Sequence, residues 1–404
     1  MNNADLCFRR TRLTLLATSL LNEPLIALYA SLPFILRKDL GATPLQVSLL
    51  IMSRPIVSLF SFYWGTFSKN LKTNLVVSGL LARLPFLCFF WMDNIWFVIL
   101  CSALYMLFSR AGIPPWMEIL KRNMPQEKQQ KLFSLSSALG FAEGVVLTLG
   151  VGTLIDTEKE AWKALFLFGA LLGILGVYLQ RKLPVKQVRQ EKSIEREEGT
   201  LLKPWKESLQ LVRERPDFAL FQLGFMIGGF GIVLIASVLP FFFADTLHLS
   251  HLNFGAARWL CMGIGFVLSS PFFGQALSRQ TIASLTGLIY LGFAIFPLLL
   301  LLAPWHLSFL YCAYIIYGIA QGGSHIVWHL SGPIFAGSAN SSRFSNMNIL
   351  TVGIRGLFAP ILGGYCCSLF GPEPILLLGA LLCFCGASVT WAKKRVISPH
   401  AQAD

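Results

Sequence analysis

Hydrophobic and polar positions along this chain fall into long blocks rather than into the short periods of a soluble domain. Twelve apolar stretches, at about 13–36, 46–67, 74–92, 94–118, 132–154, 162–180, 218–243, 254–277, 282–302, 306–330, 346–369 and 373–391, are separated by short polar breaks. A helix needs roughly 20 mainly apolar residues to cross the hydrocarbon core of a bilayer, so each stretch predicts one transmembrane helix. One charged segment divides them six and six. The pattern therefore predicts an all-α membrane protein, with twelve transmembrane helices in two pseudo-symmetric six-helix bundles. The expected domains are 1–180, a cytoplasmic linker at 181–217, and 218–404 with a short cytoplasmic tail. Within the linker, Pro204 to Arg215 reads as a helical piece.

Composition agrees with this reading. Only 13% of the residues are charged and 55% are hydrophobic, where a soluble domain averages about 25% charged. Of the 33 Lys and Arg, 24 fall on one side of the predicted spans and four on the other (Arg37, Lys38, Lys159 and Lys163); five Arg lie inside spans. Basic residues collect on the cytoplasmic side, which places both termini in the cytoplasm. The net charge of +13 is then the signature of that bias and of contact with anionic headgroups, with no nucleic acid needed to explain it. The basic start of the chain leads into a span-length apolar run, so no cleavable signal is expected. The nine Cys fall almost wholly within spans, which predicts no disulfide framework. Trp91, Trp96, Trp162 and Trp305 lie near outer span ends, where an aromatic belt belongs. Outer loops are short, so no receptor ectodomain is present.

The two halves echo each other. Ala30-Ser31-Leu32-Pro33-Phe34 ends the first stretch and Ala236-Ser237-Val238-Leu239-Pro240-Phe241 ends the seventh, with the prolines 207 positions apart. Trp64-Gly65-Thr66-Phe67-Ser68 is matched by Phe273-Gly274-Gln275-Ala276-Leu277-Ser278, and Arg110-Ala111-Gly112 by Gln321-Gly322-Gly323. The offset stays between 207 and 211 throughout, as in transporters built from repeated bundles.

These features together resemble the major facilitator superfamily (MFS) over essentially the full length. Gly65, at the inner end of the second stretch, is similar to the start of that family's signature between spans two and three. Arg110 is similar to the family's Arg in span four. Trp328-His329-Leu330 through Phe335-Ala336, with Gly353-Ile354-Arg355-Gly356 and Gly363-Gly364, resembles a bacterial subgroup. The resemblance implies an inner-membrane transporter working by alternating access, with spans one, two, four, five, seven, eight, ten and eleven lining a central cavity. The chain departs from the pattern at Lys69, where the signature has Asp, and in the fifth span, where the antiporter motif's Pro is missing among Gly140, Glu143, Gly144, Gly150 and Gly152.

Candidate chemistry lies in the charges inside the spans. Glu23, Arg54, Arg83, Arg110, Glu143, Arg258 and Arg355 are intramembrane ionisable residues. At about 3 kcal/mol each, lipid exposure of all seven would cost on the order of 20 kcal/mol, so they pair or line a wet cavity. Five Arg against two Glu suggest a cationic cavity for an organic anion, since Arg suits bidentate recognition of carboxylate or phosphate. The other reading is that Arg83, Arg110 and Arg258 brace helices or sit near a headgroup. Arg54, Arg355, His325 and Arg110 are the substrate-binding candidates. Glu23, followed by the helix-loosening Pro24, and Glu143 are the proton-coupling candidates, because burial disfavours a charged carboxyl. A fixed ion pair with a neighbouring Arg is the alternative for both. His325 and His329 share a helical face, but neither a metal motif nor a carboxylate pair accompanies them. Glu118 is expected to pair with Lys121 or Arg122. No cofactor, metal or enzymatic centre is indicated. The expected function is secondary transport of a small organic solute, preferably an anion, by a monomer that exchanges protons. The alternative is a non-transporting membrane sensor or scaffold that keeps the fold.

Overall fold

The computed structural model describes residues 3–64, 70–92, 94–124, 126–183, 203–277, 281–336 and 341–392. Among the described residues the chain is all-α. Helices α1 (Asn3–Lys38), α2 (Pro44–Trp64), α3 (Leu71–Leu87), α4 (Ile95–Ala111), α5 (Ile113–Asn123), α6 (Gln126–Thr157) and α7 (Ala161–Arg181) precede the linker helix α8 (Lys203–Glu214). Then follow α9 (Pro216–Phe241), α10 (His251–Gly255), α11 (Met262–Leu277), α12 (Ile282–Leu302), α13 (Ser308–Ala336), α14 (Ser341–Phe370) and α15 (Pro372–Trp391). Each of the twelve predicted stretches overlaps helix among the described residues. Nine helical segments among the described residues are long and apolar enough to cross a membrane. Gly65 and Lys69 of the signature, and most of the linker and tail, lie outside the described residues.

Two stretches are less regular than their hydropathy suggests. The fourth is broken into α4 and α5 at Gly112, ahead of Pro114 and Pro115, because proline removes the backbone donor and crowds the preceding turn. The eighth starts in α10 and passes through a π-helical turn, Ala256–Cys261, before α11. A second π turn, Phe242–Thr246, follows α9. Helix starts at the aqueous ends are capped by side chains that accept backbone N–H groups left without a partner. Asn70 accepts from Lys72 and Thr73, Asn94 from Trp96 and Phe97, and Thr281 from Ser284.

The chain forms two compact units: Met1–Arg196 with Leu249–Ala256, and Glu197–His248 with Ala257–Asp404. The first unit centres on an aromatic cluster in which Phe86 meets Phe89, Phe166 and Tyr105 at ring separations of 4.8, 5.3 and 5.2 Å. Trp162 is 2% exposed and packs on Phe89 and Phe166, so it belongs to this core and not to an outer aromatic belt. Trp91, Trp96 and Trp305 are exposed, as a belt requires.

In the second unit, α9 and α15 approach through glycines. A Cβ on Gly386 would lie 2.6 Å from the Gly228 nitrogen, and one on Gly231 would lie 2.7 Å from the Gly379 carbonyl. In lipid, where apolar burial gives little drive to helix association, such close backbone packing supplies much of it. Exposed rows such as Phe168, Leu171 and Leu175 on α7, or Leu377, Leu381 and Phe384 on α15, present apolar surface outward. Water would penalise such rows, and hydrocarbon accommodates them.

Candidate substrate and proton site

Within the first unit a cavity of about 380 Å³ opens among α1, α3, α4, α5 and α6, a volume in the range of small-molecule sites. Its polar lining comes from Asn22 and Glu23 of α1, Ser78 and Arg83 of α3, Tyr105 and Ser109 of α4 and Ser136 of α6. Pro24 carries no N–H and so leaves the α1 ladder one bond short beside Glu23. Asn22 is steadied by its own amide, which donates to the Thr18 carbonyl at 2.6 Å. The hydroxyls of Ser19 and Ser136 meet at 2.8 Å and tie α1 to α6.

Glu23 is 9% exposed. Its carboxylate lies against Gly140, where a Cβ would be 2.9 Å from Oε2, so the absent side chain is what lets the acid reach α6. Glu143 is one turn further along α6. Its charge acts on Glu23, and its Oε2 is buried with no hydrogen-bond partner. Among the described residues neither glutamate has an arginine ion-pair partner.

The arginines divide into two kinds. Arg83 is held: its Nε and one terminal nitrogen donate to Asn22 Oδ1 at 3.2 and 2.6 Å, and the other donates to the Gly79 carbonyl at 2.7 Å. Gly173 of α7 leaves room for it, because a Cβ there would sit 2.5 Å from Arg83 Nε. Arg83 therefore fastens α1, α3 and α7 together. Arg355 of the second unit is held in a comparable way. It donates to the Phe225 carbonyl at 2.7 Å and lies 4.5 Å from the Phe225 ring centroid. It fills the space beside Gly229, where any Cβ would collide with the guanidinium.

Arg54 and Arg110 differ in being open to solvent. Both are exposed in the first unit, and each guanidinium lies within reach of the other's charge. Arg54 stacks 4.9 Å over the Tyr29 ring, and Tyr29 lies 4.7 Å from Tyr105 of the cavity wall. Tyr105 lines the same cavity as Glu23. His325 is exposed in the second unit beside Phe266, with ring centroids 6.1 Å apart. The His329 side chain lies outside the described residues. Glu118 pairs with Arg122 at 2.8 Å, one of the two partners expected.

Asn22, Tyr29 and Tyr105 escaped the reading of the sequence, which searched the spans for charge. The 207-residue offset carried a signal. It sets Asn22 opposite Gly229 and Arg83 opposite Tyr290. Tyr290 donates to the Phe225 carbonyl at 3.0 Å, next to Arg355. Each half thus places a guanidinium at the corresponding spot, from α3 in one and from α14 in the other.

A helical chain of this length, with an intramembrane acid and an arginine, Glu23 and Arg83, lining one cavity, invites comparison with transporter families. The Major Facilitator Superfamily model matches residues 16–342. The chain belongs to that superfamily. As a member of that transporter superfamily, it is a multi-pass membrane transporter protein and not an enzyme. Curated protein sequences gave no match. Among solved structures, the nucleoside transporter NupG is similar, at 14% identity and a TM-score of 0.75, over 95% of this chain and 100% of that one. A peptide transporter, POT, in complex with alafosfalin is similar at 13% identity and a TM-score of 0.72, over 97% and 98% of the two chains. A bacterial homologue of the human lysosomal transporter Spinster, in an inward-facing and unoccupied conformation, gives 14% identity and a TM-score of 0.63, over 99% and 100%. At such identities these likenesses speak for the MFS fold alone.

Proposed function

We propose that this MFS protein is a proton-coupled secondary transporter of a small organic anion. It works as a monomer in a bacterial inner membrane, with both termini in the cytoplasm, by alternating access between its two bundles. The observation that supports the anion is that Arg54 and Arg110 are both exposed in the first unit and near enough for the charge of one to act on the other. Two guanidinium groups repel each other, and an anion between them turns that cost into two charge-assisted hydrogen-bonding sites. Arg355, bonded to the Phe225 carbonyl, takes no part in this reading. The related structures are named for nucleosides and for peptides, which differ in charge, so the solute class rests on the arginines.

Proton coupling rests on Glu23 and Glu143, two carboxyls without an arginine ion-pair partner among the described residues. Protonation of Glu23 removes a buried charge, which lets one site exchange a proton for each turn of the cycle. Tyr29, beneath Arg54, meets Tyr105 of the cavity that Glu23 also lines, which supports coupling between the two.

The test is a thermal-shift screen of the purified protein against carboxylates, phosphate esters, nucleotides, amino acids and cationic drugs. A ligand at 100 times its Kd stabilises by about 2.7 kcal/mol. Anions should raise the midpoint, and Arg54→Gln or Arg110→Gln should remove the shift. Glu23→Gln should keep binding and abolish pH-driven flux of the anion in proteoliposomes. Stabilisation by cations or neutral solutes alone would overturn the anion. An absence of any ligand, with Glu23→Gln indifferent, would favour a scaffold that keeps the fold.

A further inference from the structure

Away from Glu23, the starts of α1 and α6 enclose a separate cavity of about 200 Å³ in the first unit. Phe8 and Arg12 of α1 line it on one side, and Lys128, Leu132 and Leu135 of α6 on the other. Its base is fixed by the core. Leu132 is buried in an apolar cluster with Leu15, Leu120 and Met124, against which Phe8 packs. Thr11 accepts from the Asn123 amide at 3.1 Å, which ties α1 to α5 beside it. The rim is cationic. Arg12 and Lys128 are both exposed, and Lys128 Nζ lies 4.7 Å from the Phe8 ring centroid, so an aromatic face steadies the ammonium group.

The place of this cavity along the spans decides what fits it. Arg12 immediately precedes the first apolar stretch, and Lys128 stands four residues ahead of the fifth. Both cations therefore lie at the border of the hydrocarbon layer, the level of the lipid phosphates. From that border the exposed side chains Leu135 and Leu139 continue one row of α6 into the span, a surface suited to hydrocarbon. A basic pocket between helices at the bilayer surface suits an anionic headgroup. Arg can grip two phosphate oxygens at once, and Lys adds a point charge. A soluble anion would use the two cations and leave the leucines without a partner. A zwitterionic lipid would bring its own ammonium group against Arg12 and Lys128.

We infer that this cavity is a binding site for an anionic phospholipid, with the phosphate between Arg12 and Lys128 and an acyl chain along Leu132, Leu135 and Leu139. The bound lipid bridges the first turns of α1 and α6, the helices that carry Glu23 and Glu143 further along. It braces them without touching either acid. Neither the transported solute nor the coupling ion enters this inference, so it stands or falls separately from both.

The test is native mass spectrometry of the purified, delipidated full-length protein, titrated with phosphatidylglycerol or with phosphatidylcholine of the same chains. Phosphatidylglycerol should be retained the more tightly. Arg12→Gln and Lys128→Gln should each weaken it by about fivefold, the scale of one basic residue's attraction to anionic lipid. Lys121→Gln, which removes an exposed cation on α5 outside the cavity, should leave retention unchanged. Leu135→Glu, which sets a carboxylate in the exposed apolar wall, should weaken phosphatidylglycerol with both cations intact. The thermal midpoints of these variants in phosphatidylcholine should match that of the unaltered protein, which separates lost lipid from lost fold. Three results would overturn the site. Equal retention of the two lipids would remove the anionic headgroup. An equal loss on Lys121→Gln would leave only a diffuse surface field. Displacement of phosphatidylglycerol by glycerol 3-phosphate, which has no acyl chain, would make the cavity a site for soluble phosphate instead.

Discussion

Arg83 and Arg54 are the same residue type in neighbouring spans, yet their surroundings give them different work. Arg83 has three of its donors committed to Asn22 and Gly79, whereas Arg54 lies exposed over Tyr29. Replacing Arg83 with Leu leaves Asn22 Oδ1 unsatisfied within the bundle. Hydrogen bonds to a charged group contribute about 1.5–3 kcal/mol each. Arg83→Leu should therefore lower the thermal midpoint of the purified protein clearly, and the double variant Asn22→Leu/Arg83→Leu should recover part of the loss by removing the orphaned acceptor. An unchanged midpoint with loss of anion stabilisation would make Arg83 a substrate ligand after all. The charges were legible in the sequence as a set. Which of them is a brace was not, because that depends on Asn22 and Gly173, polar and small residues that hydropathy passes over.

At the scale of elements, the ends of helices carry as much information as their middles. The segmentation was legible because every span is an apolar block, and the linker helix α8 falls almost where Pro204 to Arg215 predicted it. The π turns and the break at Gly112 were not, because they leave the hydropathy unchanged. Asp156 is the clearest case of an end effect. Burial pushes its carboxyl pKa up, but the Leu252 and His251 amides, with the charges of His251 and Lys38, outweigh it and hold it below the ordinary aspartate value. A lowered carboxyl pKa gives stability that is fully present above the unfolded value, near 4, and lost as pH falls through the folded one. The difference in thermal midpoint between the unaltered protein and Asp156→Asn should be fully present near pH 5 and shrink below about pH 4. A difference that persists undiminished well below about pH 4 would mean that another group controls the docking of α10. Asp217 follows the same rule at the start of α9, where Arg215 donates two bonds to it at 3.0 and 2.9 Å and lowers its pKa.

For the molecule as a whole, the charge asymmetry of the loops predicts orientation, and a reporter that matures only in the cytoplasm should be active when fused at either terminus. Activity at one end only would require an odd number of crossings and would undo the reading of the spans. The sequence by itself determined the all-α membrane class, the two halves and the membership of a transporter superfamily, because hydrophobic block length and repeat offset are properties of the chain in one dimension. It also marked Glu23, Glu143 and the five intramembrane arginines, since a charge in an apolar block is conspicuous. Only the tertiary structure decided which charges meet. It brought Arg54 near Arg110, gave Arg83 to Asn22, set Glu23 against Gly140 and Glu143, and carried α10 to Asp156. Those choices rest on distances of about 3 Å between helices far apart in sequence. Small residues set such distances by what they leave open, and no pattern along a single helix records it.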